Sequence, residues 1–88
     1  MQKTEIKKSP KSIIRLNTKE LMKAQIDFEI KTDADLASMM GLSPSQVSRA
    51  KLNPNDSNYC APGNQFIAGV LQVFHGPFEK FFYRESVE

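Results

Sequence analysis

The sequence predicts an all-α domain of five helices. Three observations lead there. Phe66, Ile67, Val70, Leu71 and Phe74 repeat at the spacing of a helix with one apolar face. Two helix starts, at Thr32 and at Ser43-Pro44, flank Gly41, so two short helices meet at a tight turn. No two runs alternate apolar and polar residues as a credible strand pair would.

The elements follow in order. Residues 1–12 mix Lys, Ser, Thr and Pro10 around Ile6 and read as a flexible basic arm; residues 13–88 read as a single domain. Ile13, Ile14 and Leu16 form a short apolar patch. Asn17 or Thr18 then caps a first helix, because either side-chain oxygen accepts an orphan backbone N–H. That helix runs to Ile30, with Met22, Ile26 and Ile30 as its apolar stripe and Leu21 and Phe28 at its flanks. Phe28 and Ile30 also alternate in a strand-like way.

Thr32 opens a second helix: Asp35 stands three residues on, as in a capping box, and Asp33 and Asp35 both sit at the positive end of the helix dipole. Leu36, Met39 and Met40 supply its apolar face, and Gly41 ends it. A third helix runs from Pro44, capped by Ser43, to about Leu52, with Val47 and Ala50 facing inward. Asn53-Pro54-Asn55-Asp56-Ser57-Asn58 is turn chemistry. Pro62-Gly63-Asn64 leads into the fourth helix, Gly76-Pro77 breaks it, and Phe78, Phe81 and Phe82 belong to a short fifth.

Composition bounds the function. The 88 residues carry a formal net charge of +2, unevenly distributed. Residues 1–20 hold six basic and two acidic side chains, and residues 21–88 hold six basic and eight acidic. Arg49 and Lys51 form a second small positive focus, and a polyanion could use both. Cys60 and His75 are the only residues of their types, which leaves too few parts for a disulfide, a metal cluster or a catalytic triad. No nucleophile–base pair or phosphate-cradling glycine loop is evident, so an enzyme is not expected, and neither is a cofactor. No apolar run approaches a membrane span and the Lys-rich start lacks the apolar core of a secretory signal, so a cytoplasmic protein with no membrane partner is expected.

The segment Thr32–Leu52 carries the most information. Ala37 stands where two helices cross closely and a larger side chain would part them. Gly41 makes the turn that sets their angle near 90–120°. Val47 anchors the underside of the third helix on the second and turns its opposite face outward. These spacings define a helix-turn-helix.

The same residues, Thr32-Asp33-Ala34-Asp35-Leu36-Ala37, Gly41-Leu42-Ser43 and Val47-Ser48-Arg49, resemble the helix-turn-helix of Cro/CI-type phage repressors and related XRE-family regulators. Ala61–Leu71 and the Phe-rich end are similar to small regulators of phages and mobile elements, extending the resemblance from about Thr18 to Tyr83. It implies a five-helix, lambda-repressor-like domain, frequently dimeric, whose third helix enters the major groove of double-stranded DNA to regulate transcription, typically as a repressor. By that resemblance Ser43, Pro44, Ser45, Ser48 and Arg49 lie on the DNA-facing side of the third helix. Arg49 is then suited to pair with guanine O6 and N7, and Ser45 to meet a base edge or a thymine methyl. Gln46 and Lys51 are suited to phosphates at the groove wall, as is Thr32 at the start of the second helix. The chain departs from the family at Asp33, where many members carry a phosphate-binding Gln, and at Pro44, which removes a polar side chain from a position that often reads bases.

Two other functions fit the same residues. One is a protein-binding inhibitor or anti-defence protein on a helix-turn-helix scaffold. The other is an antitoxin that binds both a partner protein and its own operator. Asp33 and the acidic excess after residue 20 favour a protein partner. The terminal aromatics, Phe78, Phe81, Phe82 and Tyr83, serve either the core or a dimer seam.

Overall fold

The computed structural model describes residues 11–87. Among them the chain forms a strand β1 (Lys11–Leu16), five helices α1 (Thr18–Asp27), α2 (Asp33–Met40), α3 (Pro44–Ala50), α4 (Asn64–Phe74) and α5 (Phe78–Phe81), and a strand β2 (Phe82–Val87). The all-α expectation is therefore corrected: five helices are accompanied by a two-stranded antiparallel sheet. Residues 1–10 of the expected arm lie outside the described residues, while Lys11 and Ser12 open β1.

The sheet has a plain physical basis. Ile13, Ile14, Phe82, Tyr83 and Val87 are β-branched or aromatic, the types that suit a pleated surface. The register pairs Leu16 with Phe82, Ile14 with Arg84 and Ile13 with Glu85. Leu16 and Phe82 are both buried, so this end of the ribbon seals the core. Arg15 and Glu85, 70 residues apart in sequence, close the other face with an Nε–Oε1 contact of 2.6 Å. Phe82 thus belongs to β2 rather than to the fifth helix, where the sequence pattern had put it.

Asn17 joins sheet and helices. Its side chain accepts the Glu20 N–H at 3.3 Å and caps α1, and its own N–H donates to the Phe81 carbonyl at 2.7 Å. α1 ends at Asp27 rather than Ile30: Glu29 takes a left-handed φ of 59°, and the Ile30 N–H returns to the Gln25 carbonyl at 2.8 Å. This is a Schellman-type stop, reached without glycine. The buried face of α1 is Leu21, Ala24 and Gln25. Of the expected stripe, Ile30 is buried, but Met22 is 51% and Ile26 75% exposed. The reversal follows from Gln25, whose Oε1 accepts the Lys51 ammonium at 2.9 Å; a satisfied polar group can be buried, and it turns the face around.

α2 and α3 pack as the spacing requires. Leu36, Ala37 and Val47 are fully buried, and Gly41 takes the left-handed φ of 76° that closes the turn between them. α3 stops at Ala50, two residues short of the expected Leu52. α4 buries Phe66, Gly69, Val70 and Phe74. Gly69 is required there: a Cβ at that position would stand 2.9 Å from the Cβ of Met40 on α2. The Phe-rich end is mainly core. Phe74 meets Phe81 at 5.7 Å and Phe28 edge-on at 5.0 Å, and Phe78 stacks on Phe82 at 5.3 Å between ring centres. Tyr83 remains half exposed.

Candidate nucleic-acid interface

The face of α3 opposite Val47 and Ala50 carries Pro44, Ser45, Gln46, Ser48 and Arg49, all exposed, with Ser43 at its cap. Much of that polar chemistry is already committed to holding the helices. Ser43 and Gln46 form a reciprocal capping box: the Ser43 Oγ accepts the Gln46 N–H at 3.3 Å, and the Gln46 Oε1 accepts the Ser43 N–H at 2.9 Å. Thr32 is exposed, and its Oγ1 accepts the Asp35 N–H at 3.0 Å. Ser48 donates to the Asp33 carboxylate at 3.3 Å.

Lys51, assigned by resemblance to a phosphate, instead turns inward. Its ammonium donates to Asp33 at 2.7 Å and to Gln25 at 2.9 Å, tying the end of α3 to the starts of α2 and the buried side of α1. Partial burial pushes the Asp33 carboxyl upward, but Lys51, helped by Ser48 and Gln25, outweighs this and holds it below the usual carboxylate range. Asp33 is thus turned onto a lysine of its own chain.

Arg49 and Ser45 keep their polar groups available. Among the described residues Arg49 makes no ion pair, and the Ser45 hydroxyl lies 3.3 Å from that of Ser43. Both line a cleft of about 380 Å3 whose apolar wall includes Leu42, Ala50 and Phe66. Gly63, Asn64 and Gln65 form its far side. Gly63 caps α4 with no side-chain acceptor, leaving the N–H groups of the first turn without one. Asn64 and Gln65 are not among the residues expected at the site; Pro62-Gly63-Asn64, a helix start without a capping side chain, is the signal that points to them. Chemically the arrangement offers one guanidinium, a hydroxyl and a helix N-terminus, all suited to an anionic partner.

Among the described residues no group of three or more His, Cys, Asp or Glu could hold a metal ion, and no helix is long and apolar enough to cross a membrane. Cys60 is an exposed free thiol. No protein-family model, curated protein or solved structure matches the chain.

Proposed function

We propose that the chain is a sequence-specific double-stranded DNA-binding regulator of transcription, of the Cro/CI type it resembles, with α3 in the major groove. One observation carries the reading. α3 is buried through Val47 and Ala50, while Ser45 and Arg49 stand exposed on its opposite face beside a helix N-terminus. In this reading Arg49 forks onto a guanine, Ser45 meets a neighbouring base edge, and the first turn of α4 takes a phosphate. Thr32, Ser43 and Gln46 set the ends of the two helices. Lys51 acts from within, holding Asp33 away from the DNA. A two-fold dimer would place two copies of α3 on half-sites about 10 base pairs apart.

Selection of bound sequences from random duplex DNA, followed by a salt titration on the enriched site, tests the proposal. The expected result is a defined motif and an affinity that falls steeply with salt as phosphate counterions are displaced. Absence of any enriched motif would overturn it. A protein-binding inhibitor or antitoxin is the second reading. It is favoured by exposed apolar side chains on one helix, Met22 and Ile26 of α1, a surface more typical of a protein contact than of a solvated face.

A further inference from the structure

Beside the C-terminal end of α3, a hollow of about 370 Å3 opens towards β1 and β2. That volume lies within the range of small-ligand sites. Arg15, Thr18, Asn53, Tyr59 and Tyr83 contribute its polar lining, with the Arg15 guanidinium as its cation. That cation has not used all its donors. Arg15 gives Nε to Glu85, and its guanidinium carbon lies 5.4 Å from the centre of the Tyr59 ring. Lys51 also borders the hollow, but its ammonium lies with Asp33 and Gln25, which line a separate depression. The Tyr59 hydroxyl is buried beside the Arg15 guanidinium, and its own proton meets no acceptor among the described residues. A buried hydroxyl proton without an acceptor is costly, and a bound acceptor removes that cost.

We propose that this hollow binds a small oxyanion, a phosphate or carboxylate group. Such a group accepts what the lining offers: the terminal N–H groups of Arg15 in a charge-assisted pair and the proton of the Tyr59 hydroxyl. The site does not depend on DNA binding.

The chain provides its own reporter. It has two tyrosines, both in this lining, and no tryptophan. Inorganic phosphate titrated into the full chain at constant ionic strength should change tyrosine fluorescence saturably, and chloride should not. Calorimetry should find phosphate binding weakened about tenfold or more in Arg15→Gln, the loss expected for a hydrogen bond to a charged group. Tyr59→Phe guards against a mere folding defect. It removes the buried hydroxyl, whose proton has no acceptor, and keeps the ring, so it should leave the thermal midpoint near wild type while weakening phosphate binding. Repeating the titration with saturating duplex DNA distinguishes the source of the anion. Unchanged binding identifies a free anion, and lost binding identifies a backbone phosphate of the duplex; both support an oxyanion site. A phosphate response no larger than that of chloride, or wild-type phosphate affinity in both variants, would overturn the proposal.

Discussion

The Lys51 ammonium stands 2.7 Å from the Asp33 carboxylate, joining the residue that caps the end of α3 to the first residue of α2. Both side chains are mostly shielded from solvent, at 17% and 31% exposure, and Ser48 and Gln25 share the contact. The pair therefore sets how α3 is presented, and at the same time withdraws one positive charge from any DNA-facing surface.

Lowering the Asp33 pKa makes its contribution to stability depend on pH. A carboxyl whose folded pKa is depressed stabilises the fold above its unfolded pKa of about 4, and the contribution fades as pH falls through the lower folded value. Asp33→Asn should cost about 1 kcal/mol at neutral pH, the scale of a partly exposed ion pair. The gap to wild type should shrink below about pH 4. Urea unfolding of both proteins across this range is the measurement, and a gap that does not change with pH would show that the ion pair adds nothing.

Arg49 and Lys51 should separate binding from stability. Arg49→Ala should leave the unfolding midpoint near wild type and cost roughly 1–3 kcal/mol of affinity on the selected duplex, relaxing preference at one base. Lys51→Ala should instead destabilise the fold, because Asp33 and Gln25 lose their shared donor. Two variants, a selected and a scrambled duplex, and a melting curve suffice. Equal losses on both duplexes would reassign Arg49 to the phosphate backbone.

Ala37 is fully buried where α2 meets α3. Ala37→Leu should overfill that crossing and cost about 1–3 kcal/mol. An unchanged thermal midpoint would mean that the two helices do not pack through this position.

Gly69 sets two effects against each other. Alanine is the better helix former by about 1 kcal/mol, but its Cβ would meet the Cβ of Met40, which cannot swing aside as a side-chain tip can. Overpacking of about 1–3 kcal/mol should prevail, so Gly69→Ala should lower the denaturant midpoint. A midpoint at or above wild type would show that α2 and α4 can separate without cost.

Local chemistry made much of this protein legible in its sequence. Thr32, Ser43 and Gly41 each determine a helix end through contacts within a few residues, so their roles follow from order alone, whereas Gln46, expected at a phosphate, closes the capping box with Ser43. Ala37 and Val47 follow from the same local geometry, as does the apolar face of α4. What the tertiary structure alone decided depends on partners far apart in the chain. Ile13 and Ile14 become a strand because residues 82–87 return beside them, and a run that short has no period strong enough to announce it. Gln25 is buried, and Met22 and Ile26 are left outside, because Lys51 arrives 26 residues later to satisfy a polar group. Lys51 in turn faces Asp33 rather than solvent for the same reason: a charge goes where its counter-charge is, and only the folded chain brings the two together.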